Sequence, residues 1–147
     1  MSGTTIGSRT PQDDIAREFL HNYRRGARLL AVAATDAARS ADLADELAAA
    51  LRTQGVAAAV TLQCGRGESE LRSEVVVPIR DAGINAVTIV CGDASLLAER
   101  TRWMWHFSIW LADGGEMANT DADAIIDITD PRRPVRRFAD FCQCDVG

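Results

Sequence analysis

The chain contains no lysine; all sixteen of its basic residues are arginine. Chemistry that needs a lysine amine, such as a Schiff base or an ammonium held over a phosphate, is therefore excluded. Long apolar runs are also missing, and nothing approaches the roughly 20 residues of a membrane-spanning helix. The opening stretch, MSGTTIGSRTPQDD, has no apolar centre of the kind that marks a signal peptide. Residues 1–14 are expected to form a flexible lead to one domain spanning 15–147. Histidine is scarce (His21 and His106), and cysteine is limited to Cys64, Cys91, Cys142 and Cys144. Cys91 lies in an apolar run and Cys64 ends another, which suits small core residues of a reduced, cytoplasmic protein. Cys142 and Cys144 form a single CxC without the further ligands a structural zinc takes, so no metal is expected.

What the chain does contain is apolar material. Hydrophobic residues make up 47% of 147 positions, enough for one domain with a sizeable core, and the net charge is −5. Apolar residues at Ile15, Phe19, Leu20 and Tyr23 have helical spacing, so 15–25 reads as an amphipathic helix stopped by Gly26. Residues 29–34 form a short apolar run without alternation, as in a strand covered on both faces. Residues 41–52 favour helix, with Leu43, Leu47, Ala50 and Leu51 on one stripe and Gly55 beyond its end. Strands follow at 56–62 and 85–91. Between them, 70–81 combines a VVV run with helical spacing and an internal Pro78, and reads as a short or kinked helix. A short helix is expected over 94–102, capped by Asp93. A fourth strand is expected at 105–111 and a fifth at 123–127.

Strands alternating with helices predict a three-layer α/β domain with a parallel sheet of about five strands. Ligands in such folds sit beyond the carboxyl ends of the strands. The turns to inspect are therefore 34–41, 63–69, 91–94, 112–115 and 128–133.

Residues 29–51, LLAVAATDAARSADLADELAAAL, run from buried strand through a tight turn into a long helix, which is the layout of a phosphate-binding loop. A working loop reads GxxxxGK[ST]. Its glycines permit positive φ and close approach, its lysine reaches the β- and γ-phosphates, and its hydroxyl holds Mg²⁺. In one register Ala33 and Ala38 stand for the glycines, Arg39 for the lysine and Ser40 for the hydroxyl. In the other, Ala34 and Arg39 stand for the glycines, Ser40 for the lysine and Ala41 for the threonine. Neither keeps a glycine, and an alanine forced to positive φ costs on the order of 1 kcal/mol. A helix N-terminus at 40–42 still offers N–H groups to an anion, although Asp42 adds a competing carboxylate. Ligand binding at this loop would fall to Asp36, Arg39 and Ser40, whose plainer role is to cap a helix.

At these residues the chain resembles the uridine kinase-like P-loop nucleoside kinases, in which a strand runs into DGxDGAGKTT and a helix like LADELAAAL. The likeness continues in order. LRSEVVVPIRDAG is similar to that family's proline-containing helix after strand two, and AVTIVCGDASLL to its third strand and turn. WHFSIWL is similar to its WD-SIFLD strand, and DADAIIDITDPRRP to its AD-VVDNTDP-P ending. Together these pieces span about residues 28–137. The resemblance implies a P-loop kinase-like fold with a disrupted phosphate loop. It also implies a catalytic acid just after strand two, where this chain has Gln63, Cys64 and Gly65. An acid ending strand three corresponds to Cys91, with Gly92 kept and Asp93 adjacent. Lid arginines between strands four and five are replaced by ADGGEMANTDA. Phosphoryl transfer rests on positioning and charge stabilisation, so the joint loss leaves little rate.

Asp127 and Asp130 are candidates for a polar pocket near a bound base, or for a simple Asp-Pro turn. Trp103, Trp105 and Trp110 are candidates for a partner interface, or for core. Alternation along 105–111 places Trp105, Phe107 and Ile109 on one face and His106, Ser108 and Trp110 on the other. His106 suits a structural role, since no nucleophile pairs with it. Arg132, Arg133, Arg136 and Arg137 have no interleaved aromatic, and the chain is acidic, so neither nucleic acid nor membrane is expected as partner. The expectation is a non-catalytic, kinase-derived protein, with no catalytic residue and no cofactor. It would act through protein association, as a homodimer or with another chain, or by weak small-molecule binding. The alternative is a nucleoside or small-metabolite kinase using ATP and Mg²⁺ at an atypical site built on Arg39 and Ser40.

Overall fold

The computed structural model describes residues 10–114, 119, 121–130 and 132–137. Helix α1 (Pro11–Asn22) starts at a reciprocal capping box. The Thr10 hydroxyl accepts the Asp13 N–H at 3.2 Å, and the Asp13 carboxylate accepts the Thr10 N–H at 3.4 Å. The helix thus opens four residues before the apolar spacing indicates, and 11–14 are its first turn rather than a lead. Residues 1–9 of that expected lead, and Cys142 and Cys144, lie outside the described residues.

Strand β1 (Ala27–Ala34) leads into helix α2 (Ala37–Thr53), which begins one turn earlier than expected. Strand β2 (Ala58–Leu62) is followed by a helical segment with a defect. α3 (Glu68–Leu71) passes through a π-helical turn (Arg72–Val76) into α4 (Val77–Ala82). The VVV run is therefore helical. The wider turn precedes Pro78, which lacks an N–H and crowds the carbonyl one turn before it. Burial explains why helix wins over β-propensity: Leu71, Val75 and Val76 close over the sheet, at 5% exposure or less.

Strand β3 (Ala86–Gly92) is followed by two 3₁₀ turns, Ala94–Leu97 and Arg102–Met104, in place of the single helix expected there. Strands β4 (Phe107–Ala112), β5 (Ala124–Asp127) and β6 (Val135–Arg137) complete the sheet. The order is β2-β3-β1-β4-β5-β6, with β6 antiparallel to β5 and the other pairs parallel. The fold is the parallel α/β sheet flanked by helices that was expected, with six strands rather than about five and an antiparallel edge strand added. Among the described residues no helix is long and apolar enough to cross a membrane.

The core has two layers. One packs α1 and α2 through Phe19, Leu47 and Leu51 onto Leu30, Ile89 and Ile109. The other packs Leu71, Val75, Leu96 and Trp105 onto Leu29, Ala31 and Trp110. Trp105 therefore sits opposite to the face that strand alternation assigns it. It precedes β4, at the end of a 3₁₀ turn, so strand periodicity does not reach it. Its indole N–H donates to the Leu96 carbonyl at 2.9 Å. At the amino end of the sheet, His106 Nδ1 accepts the Leu29 N–H at 3.0 Å, and its ring meets Tyr23 edge-on. His106 is thus a structural residue.

Candidate ligand-binding cleft

The carboxyl ends of β2 and β3 and the start of α2 enclose a cleft of about 330 Å³. Ala37, Ala38 and Ala41 line one wall; Leu62, Gln63 and Cys64 line another, with Cys91, Gly92 and Asp93 beneath. This is where the topology places a ligand site. Its chemistry differs from that of a phosphate cradle.

The connection between β1 and α2 consists of Thr35 and Asp36 alone. A GxxxxGK[ST] loop laid on this chain would have to run through Ala37 to Ala41, and those residues are helical. No residue from 27 to 54 has positive φ. The strain anticipated at the alanines therefore does not arise, because those residues are helical. Asp36 is the N-cap, its carboxylate accepting the Ala38 N–H at 3.0 Å. A carboxylate thus occupies one of the N–H donors an anion would need.

The other two loop candidates are also engaged. Arg39 pairs with Asp113, which follows β4. Ser40 is fully buried, and its hydroxyl donates to the Ala37 carbonyl at 2.6 Å. An exposed ligand-binding hydroxyl at Ser40 is therefore corrected to a packed one: the helix begins a turn early and turns this side chain inward. Burial pushes the Cys91 thiol up, with the Ser40 hydroxyl bond opposing it. Cys91 is accordingly a neutral wall of the cleft rather than a nucleophile.

Across the floor lies a closed ring of hydrogen bonds. The Asp93 N–H donates to Gln63 Oε1 at 3.0 Å, and Gln63 Nε2 donates to Ser95 Oγ at 2.7 Å. The Ser95 hydroxyl and N–H both donate to Asp93 Oδ1, at 2.5 and 2.9 Å. The Ser95 hydroxyl and N–H hold the Asp93 carboxyl below its usual range. Gln63 also donates to the Arg66 carbonyl and is 5% exposed. Its role was not anticipated: the sequence shows only a missing acid, whereas the amide links the turn after β2 to the turn after β3, beyond the end of their backbone ladder.

Asp127 and Asp130 each serve their own turn. Asp127 Oδ1 accepts the Thr129 hydroxyl and N–H at 2.6 and 2.8 Å, which lower its pKa. Asp130 accepts the Arg132 N–H at 3.1 Å. Neither lines the cleft above α2. Of the C-terminal arginines, Arg136 pairs with Glu18 and Arg137 with Asp127. Among the tryptophans, Trp105 and Trp110 are 7% and 4% exposed and belong to the core; Trp103 is 74% exposed. Only Trp103 of the three offers its ring to a partner in this structure. Among the described residues there is no group of three or more metal-ligating side chains.

No protein-family model matches the chain, and no curated protein matches it. Among solved structures it is similar to one described as a "putative fructose transport system kinase" from Silicibacter sp. TM1040. The two share 17% identity over 77% of this chain and 78% of that one, with a TM-score of 0.48. A likeness at that level carries no argument about activity or substrate here.

Proposed function

We propose that the chain is a non-catalytic domain derived from a uridine kinase-like nucleoside kinase, and that it acts by associating with a protein partner, a second copy of itself in the first instance. The observation that carries this reading is the connection of Thr35 and Asp36 between β1 and α2. A turn that short has no room for a backbone cradle around a triphosphate. The pairing of Arg39 with Asp113, the burial of Ser40 and the absence of a carboxylate at 63–65 support it. Association draws its support from Trp103, whose ring is exposed and lies 5.1 Å from the Arg102 guanidinium.

Titration of ATP with Mg²⁺ against the melting temperature tests the non-catalytic part. The expected result is no shift. A clear rise, abolished by Arg39→Ala, would instead favour a kinase with an atypical phosphate site. Arg39 is the informative position, because replacing the buried Ser40 would alter packing as well.

A further inference from the structure

Strand β2 ends the sheet, and among the described residues no other strand covers its outer edge. Its sequence, AAVTL, carries no charge and no proline, the devices that usually keep an edge from pairing with another chain. The hydrogen-bond pattern tells which groups face outward. The Ala57 carbonyl accepts from Val87, and the Gln63 N–H donates to Cys91. Backbone groups alternate along a parallel ladder, so Ala57, Ala59, Thr61 and Gln63 turn toward β3, and Ala58, Val60 and Leu62 turn outward.

Both ends of that outward row are already engaged by arginine. From the last turn of α2, Arg52 donates to the Ala58 carbonyl through Nε at 3.2 Å and Nη2 at 2.9 Å. From beyond the other end, Arg66 donates to the Leu62 carbonyl through Nη1 at 3.0 Å. Arg66 is itself held by Glu74 at 2.9 Å. Only Val60, between them, keeps both outward backbone groups open to an incoming strand. A second β2 running antiparallel would need the Ala58 and Leu62 carbonyls, and would have to displace both guanidinium groups to reach them.

We propose that Arg52 and Arg66 are edge guards, which hold the carbonyls of β2 so that a second copy of the chain does not extend the sheet there. The guard is local in sequence. Each arginine is anchored on the element next to β2, so it forms whenever the strand does and needs no partner. It also separates wanted from unwanted association: contacts through Trp103, which is not part of β2, stay available while sheet extension is blocked.

The test is the double variant Arg52→Ala/Arg66→Ala in the full chain, followed by light scattering over a concentration series and by amide exchange at Val60. The expected result is a mass that rises to at least twice the parent's at the same concentration, with slowed exchange of the Val60 N–H. Adding Ala59→Lys should return the mass to the parent's, because that exposed position puts a charge on the strand without breaking its bonds to β3. A folded double variant with the parent's mass and exchange rate would overturn the proposal. Association that Ala59→Lys fails to reverse would overturn it too, since another surface would then be responsible. If the double variant does not fold, each single variant carries the same comparison at higher protein concentration.

Discussion

Gln63 lies so close over Gly92 that a Cβ built on the glycine would fall 2.1 Å from Gln63 Oε1 and 2.7 Å from Gln63 Cβ. The glycine is required by this close approach, not by its backbone angle. Gly92→Ala should therefore destabilise the fold by about 1–3 kcal/mol, the usual cost of overpacking. Gln63→Ala, which removes the amide but leaves Cβ, should cost something by itself and relieve part of the clash. In a denaturant double-mutant cycle the two changes should couple by roughly 0.5 kcal/mol or more in the compensating direction. Strict additivity would mean that the glycine matters for another reason.

His106 gives the protein a pH response near neutrality. Burial lowers its pKa, and the positive field of Arg80 and Arg28 adds to this, while the Leu29 N–H needs an unprotonated Nδ1 to accept it. The folded chain thus binds the His106 proton less readily than the unfolded chain. Its contribution to stability is complete above about pH 6.5 and is lost as pH falls through the lowered folded-state value. Urea midpoints measured from roughly pH 7.5 downward should decline through this window, and His106→Asn should flatten the decline. Asp93 and Asp127, both lowered by their hydroxyl and N–H partners, act only further down, below about pH 4.

The tryptophans separate stability from association. Trp110 is 4% exposed and belongs to the core layer that holds Ala33 and Ile125, its register partners, so Trp110→Ala should cost about 3–5 kcal/mol. Any loss of association in that variant would reflect unfolding. Trp103→Ala should leave the melting transition within about 0.5 kcal/mol of the parent's, as for an ordinary surface change, while lowering the mass seen by light scattering. An unchanged mass would exclude Trp103 as the contact.

Much of the architecture was legible in the chain. Apolar runs such as LLAVAA and NAVTIVC read as buried strands, and the stripe through Leu43, Leu47 and Leu51 read as a core-facing helix. Both patterns are local and periodic, so they survive without knowledge of neighbours. The missing lysine and glycines are equally plain in the sequence, and they alone deny this chain an ordinary phosphate loop. The engagement of Arg39, the face of Trp105 and the function of Gln63 were decided by tertiary structure. Each depends on residues distant in sequence: Asp113 meets Arg39, Leu96 accepts from Trp105, and Gly92 and Asp93 receive Gln63. A hydrogen bond or a close approach between such residues exists only once the strands lie side by side, and no periodicity along the chain encodes it.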